Sequence, residues 1–406
     1  MILPSLAITK NLHHLLPHIL KYEIREVFSL RILVIAPEQL PIPPIKGGSV
    51  ETNTYNLFSR MARTEKVVII SRTHPSLPQT SITMGGKLKI VRIPFGTKVD
   101  YLREAIRRVR GQKFDIIQIE NRPVFVPPVR RAFPRTPIVL SLHSLTFMSH
   151  LSKERAAFIL RRVDRVTSVV PFVTRTMQKW YPRFARKFAT AMLGVDTDKF
   201  RPWPQASKIS LRQRWGVAGT FNVLFIGRII RRKGLHTLVK AVSILKKRHP
   251  AIALVAVGAS WPGVKKETEY MRGVRLLSRR LGVPIRFTGY IPPAFIHQMY
   301  HLGDVFVCPT QFREGFATVN SEAMASGIPV IASDRGGIHE VVQHGRSGLL
   351  IPQYASPQAF ARAIEAVMNS PALARKLADG GRKQAEDKLS WENTVRKLKI
   401  VYRSLL

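Results

Sequence analysis

Acidic residues are scarce in this chain of 406 residues: 25 Asp and Glu stand against 65 Lys and Arg, a formal charge of +40. Such an excess argues against partners that are themselves basic. It points to a polyanionic setting, such as an anionic membrane face, a phosphate-bearing lipid or an acidic polymer. Both halves of the chain share it, so it is not the property of a tail. Cysteine is nearly absent too. With Cys308 alone, no intrachain disulfide can form, and a reducing, cytoplasmic setting is the expectation. No stretch reaches the ~18 consecutive apolar residues of a membrane-spanning helix. Any membrane contact is therefore expected to be peripheral, on the inner face. Residues 1–30 carry His13, His14, Lys21, Glu23, Arg25 and Glu26 scattered among apolar positions and do not read as a signal peptide. No His/Cys cluster offers a metal site, and neither a helix-turn-helix nor an RNA-binding aromatic motif supports a specific nucleic-acid reader.

What is present is ample apolar sequence, 45% of the chain, in short β-branched runs that alternate with helical segments. Residues 32–36, 67–70, 88–93, 116–119, 138–142 and 166–170 form one series. Residues 223–226, 252–257, 285–288, 305–307, 330–332 and 348–351 form a second. Each reads as a parallel, doubly wound α/β sheet, and the length suits two domains. Pro202-Trp-Pro204 and the polar residues after it read as the linker, near residues 202–215. Helices are expected at residues 356–368, 371–382 and 391–405.

The richest segment is Glu314-Gly-Phe-Ala-Thr-Val-Asn-Ser-Glu322, two carboxylates separated by seven residues across a strand end and a helix start. Ligands of open parallel sheets bind beyond the carboxyl ends of the strands, and helix-start amides attract phosphate. Each carboxylate accepts two hydroxyl hydrogen bonds, so one Glu suits a sugar and the other a ribose. An ordinary surface loop would carry the same spacing. Gly227-Arg228-Ile-Ile-Arg-Arg-Lys233-Gly234 stands where another strand meets its helix. Its forked Arg and point-charged Lys suit a diphosphate, though an exposed basic turn would look alike. Lys46-Gly47-Gly48-Ser49 opens a helix after the first strand, and His143 ends the strand at 138–142.

These motifs, with the following Glu-Ala-Met-Ala-Ser-Gly-Ile-Pro-Val-Ile-Ala run, resemble the E-x7-E signature of the retaining GT-B glycosyltransferases of family 4, over nearly the whole chain from Arg31. The resemblance implies a GT-B fold, two Rossmann-like domains facing a cleft. They span 31–204 (acceptor side) and 205–390 (nucleotide-sugar side), after an extension at 1–30, and a last helix at 391–406 crosses back to the first domain. It implies transfer of a hexosyl unit from a nucleotide-diphosphate sugar to a glycan, lipid or protein acceptor in the cell envelope or a surface layer such as a spore coat, without a metal or other cofactor. The alternative is a coat or surface scaffold that keeps the fold without catalysis.

By the same resemblance Arg228 and Lys233 bind the donor diphosphate, Glu314 contacts the donor sugar, Gly315, Phe316 and Ala317 present amides, and Glu322 holds the ribose. Gly47 and Gly48 lie beside donor and acceptor, and His143 lies near the donor sugar with a catalytic role. Ala317 stands where Gly or Pro is commoner, and Leu193 replaces an Asn in the family's Asn-Gly-Val-Asp turn. Glu340 matches a frequent acidic position that helix capping would explain equally. Glu120 and Arg122 are acceptor candidates, though ordinary loop anchoring explains them better. The basic segments at 102–110 and 175–181 would rest either on anionic lipid or on their own sheet.

Overall fold

The computed structural model describes residues 29–406 except Phe95 and Lys265. The expected extension at 1–30 therefore lies almost wholly outside the described residues. Two sheets are present. The first has the order β3-β4-β2-β1-β5-β6-β7-β8, built from β1 (Arg31–Ile35), β2 (Lys66–Arg72), β3 (Thr80–Thr83), β4 (Leu88–Ile93), β5 (Ile116–Glu120), β6 (Ile138–Leu142), β7 (Arg165–Ser168) and β8 (Phe188–Thr190). The second has the order β11-β10-β9-β12-β13-β14, built from β9 (Phe221–Ile226), β10 (Ile252–Val257), β11 (Ile285–Gly289), β12 (Val305–Cys308), β13 (Val330–Ser333) and β14 (Leu349–Ile351). All pairs are parallel except β3–β4.

The reason lies in the strands' composition. Apart from the exposed Arg31 and the buried Ser141, β1, β6 and β10 are runs of buried Ile, Leu, Val and Ala, which a parallel sheet covered by helices on both faces demands. β3, Thr-Ser-Ile-Thr, lies largely exposed at the sheet edge, and its lack of an apolar run explains why periodicity misses it. β8 is too short to show a pattern. The segment after Pro204, read as linker from its polarity, is a helix over Gln205–Arg214 that buries only Leu211.

Strand order puts the functional loops in place. In each sheet the first strand lies inside, with its successors on opposite sides: β1 between β2 and β5, and β9 between β10 and β12. Loops that leave β9 and β12 therefore lead to opposite sides and frame a crevice, the usual ligand position of such sheets. The terminal helix Trp391–Arg403 packs on the helix Ser49–Met61 of the first sheet's layer. Its Lys399 meets the buried Glu65 at 2.5 Å, and Thr394 donates to the carbonyl of Met192 at 2.7 Å. Among the described residues no helix is long and apolar enough to cross a membrane.

Candidate functional site

The loop after β9 turns through a short 3-10 segment, Arg231–Lys233, into the helix Leu235–Lys246. Gly234 makes that turn at φ 77°, and a Cβ there would sit 1.8 Å from the carbonyl oxygen of Pro309. Only glycine lets the loops after β9 and β12 approach so closely. The approach has a chemical result. Lys233 Nζ lies 2.5 Å from Glu314 Oε1, and Thr310, also in the loop after β12, donates to the same oxygen at 3.1 Å. Arg228 lies within electrostatic reach of Glu314, and partial burial lowers its pKa from the usual guanidinium value. Its guanidinium stands 5.3 Å from the centre of the Trp261 ring, and that of Arg232 lies 4.4 Å from the centre of Phe312. Arg228 and Lys233 thus gather on one buried carboxylate, with Arg232 as a further cation beside Arg228, and the excess is positive.

Beyond Glu314 the backbone prepares the helix Thr318–Ala325. The amides of Gly315, Phe316 and Ala317 find no acceptor among the described residues, so they are free donors at a helix start. The Phe316 ring is buried in the core, which leaves its amide rather than its side chain for a ligand. Ala317 occupies the left-handed region at φ 52°, ψ 66°, a conformation that glycine adopts without strain. Glu322 accepts from the Tyr300 hydroxyl at 2.6 Å. Burial pushes its carboxyl up to about 7, and Tyr300 and Lys199 only partly offset this.

The first domain supplies the opposite wall. Gly47 and Gly48, at φ 85° and 98°, follow β1 and lead into the helix Ser49–Met61, and Ser49 reaches Thr318 across the cleft at 3.3 Å. His143 follows β6 and meets the Glu314 loop directly: a Cβ on Gly315 would fall 2.4 Å from the His143 carbonyl oxygen. The structure therefore brings Arg228, Lys233, Glu314, Gly315 and His143 together, with Gly48 one residue from the Ser49–Thr318 contact. Glu322 stands apart from this group, further along the same helix beside Tyr300.

Glu120 and Arg122 anchor their loop, the role expected of them ahead of acceptor contact. Both are buried, Glu120 against Nε2 of His143 at 2.8 Å and Arg122 in a bidentate pair with Glu38 at 2.7 and 3.2 Å. Each carries a charge that needs a partner in the interior, and each has one. Residues 102–110 put Leu102, Ala105 and Val109 against their own sheet. Leu193 is buried, and the turn it belongs to pairs with the start of the terminal helix through Val195 and Ser390. Glu340 reaches across the cleft, where it accepts the Phe172 amide at 2.7 Å and pairs with Arg175.

Several groups were invisible to sequence reasoning. Thr310, Trp261 and Tyr300 act through contacts made only in the fold. Glu51, three residues past Gly48, is buried, and burial pushes its carboxyl up to about 7, opposed by its own backbone amide and by the charge of Arg122. Its only sequence signal is a carboxylate in the first turn of a helix that starts at a glycine pair. Among the described residues no group of three or more His, Cys, Asp or Glu is arranged to hold a metal ion.

Residues 208–384 match the family described as "Glycosyl transferases group 1", and residues 47–199 match "Glycosyltransferase Family 4". A Bacillus subtilis (strain 168) protein provisionally named glycosyltransferase YtcC is 31% identical over 387 residues, 93% of each chain. Spore coat protein SA of the same organism is 28% identical, over 92% of this chain and 99% of its own. Among solved structures, Anabaena Alr3699/HepE in complex with UDP-glucose superposes with a TM-score of 0.75 at 19% identity, covering 93% of this chain and all of that one.

Proposed function

Since the chain belongs to the family 4 glycosyltransferases, enzymes of the GT-B fold, we propose that it transfers a hexosyl unit from a nucleotide-diphosphate sugar to a hydroxyl of a glycan, lipid or protein acceptor, with retention of the anomeric configuration. The acceptor belongs to the cell envelope or a surface layer. The observation that carries this reading is the cluster at the β9–β12 crevice: Arg228 and Lys233 gathered on Glu314, beside the free amides of Gly315, Phe316 and Ala317.

Departure of a nucleoside diphosphate puts negative charge on the leaving oxygen, and fixed cations and amides stabilise charge that develops where they already point. Arg228 offers a fork to the phosphate oxygens, Lys233 a point charge steered by Glu314, and the amides add neutral donors. Glu314 receives hydroxyls of the sugar, and Glu322 those of the ribose. His143 closes over the sugar from the other domain, with Gly47 and Gly48 beside it. No metal enters this scheme, because side chains and amides already neutralise the diphosphate. The UDP-glucose complex of HepE supports a nucleotide-sugar donor, and action at the inner membrane face is compatible with the lack of a long apolar helix among the described residues.

A second reading, a coat scaffold without catalysis, draws on the likeness to spore coat protein SA and on Leu193 and Ala317. Calorimetric titration with UDP, GDP, ADP and CDP, with chelator present and in moderate salt, separates the two. The catalytic reading expects one-to-one binding selective for one nucleotide, weakened in Glu322→Ala about 10- to 100-fold by loss of a buried charge-assisted hydrogen bond. Absence of binding, or equal weak binding of all four, supports the scaffold.

A further inference from the structure

A buried chain of hydrogen bonds runs from the terminal helix to His143. The Tyr402 hydroxyl, wholly buried on the helix Trp391–Arg403, lies 2.5 Å from Oε1 of Gln118. Gln118 donates its amide to Oε1 of Glu120, which follows it by two positions on the same face of β5. Oε2 of Glu120 lies 2.8 Å from Nε2 of His143. Gln118 and Glu120 are each 1% exposed, so water does not compete for these bonds.

Chemistry fixes the direction of the chain. A carboxylate only accepts, so both of its neighbours must donate. Gln118 therefore turns its amide N–H towards Glu120 and its oxygen towards Tyr402, whose hydroxyl must give its proton. Burial and then the charge of Glu120 hold that hydroxyl well above the usual phenol range, so it stays a donor. At the other end, a neutral His143 must carry its proton on Nε2, which leaves Nδ1 as a bare acceptor. Nδ1 is buried and has no partner among the described residues. A small cavity of about 10 Å³ lies between His143, Glu120 and the terminal helix residues Thr394 and Leu398. A space of that size holds about one water, so the ring has little freedom to leave its position.

We propose that Glu120, held by Gln118 and Tyr402, is a positioning residue that locks His143 in its Nε2–H tautomer and keeps Nδ1 free as a hydrogen-bond acceptor at the site. The terminal helix thereby has a direct hold on a reacting group of the opposite wall. The inference rests on the reading of His143 as part of the donor site.

Long-range ¹H–¹⁵N correlation of the imidazoles tests it without substrate, with His143 identified by the signal lost in His143→Gln. At about pH 8.5, where an ordinary imidazole is neutral, wild-type protein is expected to show an unprotonated Nδ1. Glu120→Gln keeps the shape of the carboxylate. With Gln118 donating to its oxygen, however, the new amide turns N–H towards the ring, which must then accept on Nε2 and carry its proton on Nδ1. The tautomer is expected to invert, and release of nucleoside diphosphate from the matching sugar donor to fall by ~10²-fold or more; the comparable swap in a serine protease costs about 10⁴. A proton on Nδ1 in wild type overturns the proposal, as does an unchanged tautomer in Glu120→Gln. The wild-type spectrum decides alone should Glu120→Gln not fold. Inversion with undiminished turnover would instead remove His143 from the donor site, so the two failures are distinct.

Discussion

At the scale of single residues the site is built from charges that the interior tolerates only in company. Lys233–Glu314, Arg122–Glu38 and Glu120–His143 each give a buried group its partner. Glu51 has less: burial drives its carboxyl up to about 7 from an ordinary 4.5, and only its own backbone amide and more distant charges oppose this. The consequence for stability has a definite sign. Between about pH 4.5 and 7 the folded protein holds this proton while the unfolded chain releases it, so this group's contribution is full below the lower value and is lost as pH rises through the window. The loss approaches roughly 1.4 kcal/mol per pH unit. Glu51→Gln is neutral throughout and should gain on wild type from pH 5 to 7.5 in urea unfolding. The comparison between the two proteins cancels the background of a +40 chain. Parallel profiles would mean that Glu51 is already ionised in the fold.

At the scale of elements the decisive fact is how closely two loops pass. Gly234 and Gly345 share a left-handed backbone, φ 77° and 70°, but a Cβ on Gly345 meets open space while one on Gly234 meets Pro309. Gly345→Ala should therefore cost only the conformational strain, about 1 to 2 kcal/mol, and leave nucleotide binding intact. Gly234→Ala should cost more, because the loops carrying Lys233 and Glu314 must part, and binding should be lost. Thermal unfolding and titration of both variants check this, and equal behaviour would refute the argument from close approach. Such contacts mark the limit of what was legible in the sequence. The apolar runs of β4, β6 and β10 announced strands that end where the structure ends them, because burial on both faces leaves a local signature. The Arg228, Lys233 and Glu314 motifs were legible as loops at strand ends for the same reason. For Glu120 an anchoring role was legible but its partner was not, because the His143 ring is 23 residues away. The edge strand β3 and the helix Gln205–Arg214 escaped because neither buries enough apolar surface to leave a period.

At the scale of the whole molecule the two walls meet in a closed arrangement, and a few polar contacts hold it. Ser49 touches Thr318, Lys199 donates to the Pro293 carbonyl at 2.9 Å, and Glu340 spans the cleft to the helix Pro171–Trp180. Glu340 is the strongest of these, because one carboxylate caps a helix start through the Phe172 amide and pairs with Arg175. Capping by a charged group at the positive end of a helix contributes about 1 kcal/mol, somewhat more when partly buried. Its loss should move an open–closed equilibrium by the same amount. Glu340→Ala removes both contacts and alters no group assigned to the ligand. Nucleotide affinity, which needs both walls, should fall about 5- to 10-fold, in line with that free energy, while selectivity for the base stays the same. Small-angle scattering should show a larger radius of gyration for Glu340→Ala without nucleotide and recovery at saturation. A variant as compact as wild type, with wild-type affinity, would show that the walls close without this pin, through the remaining contacts between them.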